Sequence, residues 1–175
     1  MNFKKLLLKI TLSQIHPSDK NSLLEVLKIR NEESVRINMI NSDIIKKNDH
    51  LKWVKEQYFK KKKVLFKIVS LDKVIGCVIL NNENSKYSWA FYLSENAQKG
   101  LGAAAEYLFI NYFFDNLKKK NLHCEVLSFN KAVIKMHLRF GFKLYNTKKN
   151  YLKRNKNVSD LMYFVLDKET WINKK

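Results

Sequence analysis

The stretch from Trp89 to Ala105, W-A-F-Y-L-S-E-N-A-Q-K-G-L-G-A-A-A, restricts the folds open to this chain more than any other. Trp89 to Leu93 is apolar and aromatic and reads as a strand. Ser94-Glu95-Asn96 breaks it, and Gly100 and Gly102 turn the chain into an apolar helix. A strand that passes through a glycine-spaced turn into a helix leaves the first helical N–H groups unpaired. The helix dipole adds partial positive charge at the same place. Such a turn is an anion site with a diphosphate as its natural occupant, or else an ordinary strand-to-helix connection. Two familiar phosphate loops do not fit. A Walker loop ends in Gly-Lys-Ser/Thr, whereas Lys99 precedes its glycine and no hydroxyl residue follows. A dinucleotide fingerprint needs three spaced glycines, and only two are present.

The remaining segments supply elements on either side of that turn. Leu6 to Ile15 reads as an edge strand. Pro17-Ser18-Asp19 starts a helix carrying Leu23, Leu24, Leu27 and Ile29 up to Arg30-Asn31. Glu32 to Asn48 is polar and irregular, and a second helix follows Asn48-Asp49 with Leu51, Val54 and Tyr58 on one face. Val64 to Ser70 and Val74 to Asn81 are β-rich runs joined by Leu71-Asp72-Lys73, and Asn82 to Lys86 turns into the Tyr87 to Leu93 strand. After the helix from Gly100 to Asn116 come a strand (Leu122 to Leu127), a helix (Lys131 to Phe140) and two strands (Phe142 to Leu152, Val158 to Leu166). The pattern predicts a single α+β domain over residues 1–175. Its sheet is mixed but mostly antiparallel, with about seven strands and about four helices. One parallel pair is expected where the Gly100 helix crosses to the Leu122 strand.

Composition excludes several classes. Apolar content of 46% suits a packed core, and no run of 18 apolar residues is present to span a membrane. The basic, briefly apolar N-terminus is interrupted by Lys9 and lacks a small-residue cleavage site, so a first strand is expected there and not a signal peptide. Cys77 and Cys124 lie in apolar strands and read as reduced core residues of a cytoplasmic protein, and no Cys/His spacing suggests a metal site. The net charge of +18 invites a nucleic-acid partner, yet 30 of the 34 basic residues are lysine and only four are arginine. Arginine is the residue that reads phosphates and bases bidentately, so no nucleic-acid partner is expected. The charge suits small anionic ligands equally well.

The glycine turn is similar to the x-x-G-x-G/A pyrophosphate loop of the GNAT N-acetyltransferases. That family prefers Gln or Arg three residues before the first glycine; here Ala97 holds that place and Gln98 comes one step late. A second segment, N-K-A-V-I-K-M-H-L-R-F-G-F from Asn130 to Phe142, resembles the family's closing motif. Asn130, Gly141 and Phe142 match, with His137 where the family has tyrosine. The resemblance runs across nearly the whole chain. It implies that acetyl-CoA is the co-substrate, with no metal. The pantetheine would pair with free backbone of Phe91, Tyr92 and Leu93. The phosphates would sit on Gln98, Lys99, Gly100, Leu101, Gly102 and Ala103, with Asn130 and Lys135 contributing from the closing motif.

For the chemistry, an amine must lose a proton before it attacks the thioester, and the departing thiolate must gain one. Glu125, among apolar neighbours in L-H-C-E-V-L, is the candidate base, or a solvent-facing strand glutamate. His137 is the candidate acid, able to donate near neutral pH. Tyr92 would lie beside the thioester, where a strand N–H could polarise the carbonyl. The N-terminal half, I-R-N-E-E-S-V-R-x-N-M-I followed by H-L-K-W-V, is similar to the sugar-nucleotide acetyltransferases of pseudaminic acid (flagellin glycan) biosynthesis. That likeness implies acetylation of the 4-amino group of a UDP-linked amino-dideoxy sugar. Arg30, His50, Asn81 and Asn82 would border the nucleotide-sugar pocket, and relatives of this kind imply a homodimer. Protein N-terminal acetyltransferases of the ribosomal-protein type share the Arg-Asn and His-x-x-Trp elements and are the alternative.

Overall fold

The computed structural model describes residues 2–154 and 157–175. Seven strands form one sheet in the order β1-β2-β3-β4-β5-β7-β6. β1 (Ile10–Gln14), β2 (Lys63–Ser70), β3 (Lys73–Glu83) and β4 (Lys86–Leu93) are antiparallel neighbours. β5 (Asn121–Leu127) runs parallel to β4. β7 (Asn157–Asp167) lies antiparallel between β5 and β6 (Lys143–Arg154). The two tight connections, Leu71-Asp72 and Asn84-Ser85, all have positive φ, the hand of two-residue hairpin turns that match strand twist. β3 therefore continues to Glu83, and Asn82 is a strand residue opposite Tyr87 and not a turn residue.

The sheet is covered on both faces. On one, Leu23, Val26 and Ile29 of α2 (Lys20–Arg30) and Val54 of α4 (Lys47–Phe59) pack on Leu65, Cys77 and Tyr92. On the other, Ala104, Ala105 and Phe109 of α5 (Leu101–Asn111) and Ile134 of α6 (Lys131–Arg139) join Trp89, Leu122, Cys124 and Phe164. Strand alternation explains the split within β4, since Trp89 and Phe91 point to the α5 side and Ala90 and Tyr92 to the α2 side. Both cysteines are free and buried.

Three short helices depart from the expected four, giving seven among the described residues. The expected edge strand from Leu6 begins only at Ile10, because α1 (Phe3–Leu7) precedes it. The run Leu6-Leu7-Leu8 has no period of its own. The Asn2 side chain accepts from the Lys4 N–H, and Leu6 is buried against the start of α5; these contacts select a helical turn. α3 (Glu33–Arg36) lies in the segment read as irregular. α7 (Lys168–Lys174) follows β7, with Asp167 accepting from the Thr170 N–H and Trp171 buried. α5 is shorter than expected: from Tyr112 to Asn116 it widens into a π-helical turn that buries both Phe113 and Phe114. No helix among the described residues is long and apolar enough to cross a membrane.

Candidate active site

β4 and β5 pair at one position, Ser88 opposite His123, and the parallel strands part beyond it. A slot of about 300 Å³ results, lined by Trp89, Ala90 and Phe91, by Cys124 to Leu127, and by Asn130, Val133 and His137. Arg30 and residues 38–41 also border it. One edge of β4 past Ser88 thus lacks a neighbouring strand, leaving backbone groups for a ligand.

At the end of β4 the chain turns into α5. Gly100 is the N-cap with φ +92°, a left-handed backbone that favours glycine, and a Cβ there would also displace the Leu6 side-chain end, 2.8 Å away. Gly102 differs. A Cβ there would make an ordinary 3.4 Å contact with Leu93 Cδ1. No side chain caps the helix; Leu101 N–H bonds the Gln98 carbonyl, and the first helical bond runs from Ala104 N–H to Gly100 O. The amides of Gly102 and Ala103 fall between, among the donors a helix start leaves open. The Gln98 side chain accepts from Lys9 Nζ at 3.1 Å, and Lys99 and Lys135 are exposed. Asn130 caps α6, its Oδ1 accepting from Val133 N–H at 3.4 Å. A residue the sequence did not single out, Glu32, takes the Ser94 hydroxyl and the Glu95 N–H at 2.9 Å each. It ties the end of α2 to the start of the glycine turn.

Glu125 stands at the mouth of the slot, on the strand face opposite the buried Cys124. It also lines a second cavity of about 250 Å³ with Lys63, Asn81, Glu83, Lys86, His123, Tyr145 and Tyr163. Though it reaches solvent, the cavity walls dominate its environment: burial raises its carboxyl pKa, while Lys63 and Lys86 pull it back. Asn81 reaches this cavity, held between Lys63 Nζ (2.6 Å) and Ser88 Oγ (3.2 Å). Asn82 does not, since successive strand residues face opposite ways. His123, passed over in the sequence, has its Nδ1 buried without a partner.

His137 is 3% exposed, and its Nδ1 lies 2.6 Å from Oε1 of Glu106 on α5. Glu106 could have been noticed as the lone carboxylate in the apolar run A-A-A-E-Y-L-F-I. Tyr92 is also buried, but its hydroxyl donates to the Val26 carbonyl at 3.2 Å. Burial pushes that phenol well above its usual range and the Cys77 thiol beside it up to about 12. The Tyr92 side chain lies on the α2 face, where it anchors α2.

Arg30 and His50 meet at a third cavity, of about 390 Å³, with Asp49, Trp53 and Tyr92. Arg30 Nη2 donates to Asn41 O at 2.7 Å, and Nη1 is buried without a partner. His50 is 5% exposed and its Nε2 is likewise buried and unpaired; burial lowers its pKa, partly offset by the nearby Leu23 backbone. This cavity shares Arg30 and Asn41 with the slot.

The loop between α3 and α4 is held by three of the four arginines. Arg154, from the end of β6, donates to Ile37 O (2.9 Å), Met39 O (2.9 Å) and Ile40 O (3.1 Å), and Arg36 donates to Ser42 O (2.8 Å). A guanidinium can serve several carbonyls at once, which an ammonium does less well. Arg154→Ala is expected to raise amide hydrogen exchange across residues 37–42, measured by mass spectrometry, because three of that loop's carbonyls lose their donor.

The acetyltransferase (GNAT) domain family model matches residues 9–143. No curated protein compared with the chain matches it. Among solved structures, spermidine N-acetyltransferase from Vibrio cholerae, in complex with CoA and spermine, superposes with a TM-score of 0.83 at 15% identity, covering 94% of this chain and 99% of that one. Ribosomal-protein-alanine N-acetyltransferase from Brucella melitensis gives 0.74 at 16% identity, covering 90% and 99%. A Salmonella typhimurium protein solved with its cofactor acetyl-CoA gives 0.72 at 15% identity, covering 91% and 94%. With the family model spanning most of the chain, the splayed β4–β5 pair and the glycine turn at α5 have a common explanation: the chain belongs to the GNAT family and is an acetyltransferase.

Proposed function

We propose that the chain transfers the acetyl group of acetyl-CoA directly to the amine of a UDP-linked amino-dideoxy sugar, as in pseudaminic acid synthesis. The observation that carries the acceptor reading is the pair of unpaired buried atoms, Arg30 Nη1 and His50 Nε2, on two residues that line a cavity sharing Arg30 and Asn41 with the slot. Buried polar atoms without partners are costly, so a ligand that satisfies them gains affinity. Arg30 needs an acceptor, and His50 Nε2 needs a donor or an acceptor according to its tautomer. A sugar phosphate, with its oxyanions and hydroxyls, supplies both. A protonated polyamine supplies donors only and would approach Arg30 in a chain of net charge +18.

In this reading Gly102 and Ala103 amides and the α5 dipole hold the pyrophosphate, and the free β4 edge pairs with the pantetheine. Glu125 takes the amine proton, directly or through a water. The amine nitrogen then bonds the acetyl carbon and sheds its second proton to solvent by the same Glu125 path, the C–S bond breaks, and His137 protonates the departing thiolate. A β4 N–H polarises the carbonyl as negative charge develops on its oxygen.

The test is inhibition. UDP at millimolar concentration is expected to compete with the amino-sugar nucleotide and not with acetyl-CoA. Absence of UDP inhibition, together with acetylation of a ribosomal-protein N-terminal peptide, would replace this reading with the protein-acetylating one.

A further inference from the structure

Glu106 is fully buried on α5, and its only bond among the described residues is the one between Oε1 and His137 Nδ1; Oε2 has no partner. An unpaired carboxylate oxygen in an apolar core is expensive. The surroundings offer little else. Trp89, Phe142 and Phe164 ring His137 at centroid distances of 5.6, 5.1 and 6.3 Å. The other titratable groups facing the pair are the buried Cys124 thiol on β5, and Glu125 and Arg30, which line the same slot. Burial pushes the Glu106 carboxyl up, and the contact with His137 pulls it down.

We propose that Glu106 is the positioning residue for the acid, fixing one proton on the Nδ1 side of His137 so that Nε2 carries the proton given to the thiolate. This rests on the reading of His137 as the acid. The proton count supports it. At 2.6 Å one proton lies between Glu106 and Nδ1, and the proposal puts it on Nδ1, with Glu106 a carboxylate. With a second proton on Nε2, the pair is neutral overall. Once Nε2 has given that proton to sulfur, the pair bears one net negative charge among aromatic rings. Burial disfavours that state and keeps the pair loaded until a strong acceptor, a thiolate, forms beside it. Solvent then returns the proton after product leaves. Without the carboxylate, a protonated His137 would be an uncompensated buried cation, and the imidazole would stay neutral.

The test uses the full chain and two measurements. Nitrogen NMR of histidine-labelled protein at pH 7.5 is expected to show both His137 ring nitrogens protonated, and a neutral ring in Glu106→Gln. The near-isosteric glutamine keeps an acceptor for Nδ1–H and removes only the charge. In turnover followed by release of the CoA thiol, Glu106→Gln is expected to lower kcat by ~10–100-fold, the scale for losing a partner that orients a functional histidine. The loss should be smaller at pH 6 than at pH 8, and both KM values should stay within about twofold. A neutral ring in the unmodified protein overturns the proposal even if the variant does not fold, and so does a Glu106→Gln enzyme with an unchanged pH profile. A His137→Phe enzyme of unchanged turnover would instead overturn the acid reading beneath it, whatever the NMR shows.

Discussion

Replacing Glu125 by alanine is expected to lower turnover by ~10²–10⁴-fold at neutral pH, the range for losing a general base. The fold should not suffer, because the side chain reaches solvent and makes no hydrogen bond on which packing depends. The pH dependence follows from its surroundings. A base works in its deprotonated form, and burial raises the Glu125 pKa above the ordinary carboxylate range despite Lys63 and Lys86. The acidic limb of the kcat/KM profile should therefore lie higher than a free carboxylate would place it. That limb should vanish in Glu125→Ala, and the deficit should shrink as rising pH deprotonates the amine unaided. Removing the positive charge of Lys63 or Lys86 should move the limb further up, since each now stabilises the carboxylate. Steady-state rates across pH decide the matter. Full activity of Glu125→Ala at neutral pH would shift the base elsewhere, with His50 the next candidate.

Gly102→Glu is expected to abolish acetyl-CoA binding while leaving the protein folded. The two glycines of the turn make this a clean choice. Gly100 has φ +92° and sits under Leu6, so any side chain there strains the backbone and says little about ligand binding. At Gly102 a Cβ makes only ordinary contacts, with Leu93 and Phe91 and with Met136 Sδ at 4.0 Å. A glutamate in the first turn of α5 even suits the helix dipole. The same carboxylate would occupy the place proposed for the pyrophosphate. Two like charges about 4 Å apart at an effective dielectric of ~20 repel by ~4 kcal/mol, or about 10³-fold in affinity. Calorimetry would show no heat with acetyl-CoA, while the thermal transition stays in place. Unchanged affinity would remove the coenzyme from the α5 turn. Gly102→Ala is the control, expected to fold and to bind with a modest loss.

Much of the architecture was legible in the sequence because it rests on short-range rules. The β-rich runs at β2, β3 and β4, the turn residues between them and the helical spacing of Leu23, Leu24 and Leu27 each declare their element locally. Gly100 marks the strand-to-helix turn because only its left-handed φ permits that turn. The order of elements then leaves one parallel crossover, between β4 and β5. What the sequence could not provide were the contacts between residues far apart in the chain. The helical state of Phe3 to Leu7 depends on Leu6 meeting the start of α5, some ninety residues away. Whether Glu106 is an exposed helix glutamate or the buried partner of His137 depends on how α5 and α6 pack across Trp89 and Phe142. The wall that residues 38–40 give the slot depends on Arg154 reaching the carbonyls of Ile37, Met39 and Ile40 across more than a hundred positions. Sequence alone determined which strand passes through a glycine turn into which helix, because backbone dihedrals follow from local residue types. Tertiary structure decided which side chains are charged, paired or free beside it, because desolvation and hydrogen bonding belong to neighbours in space.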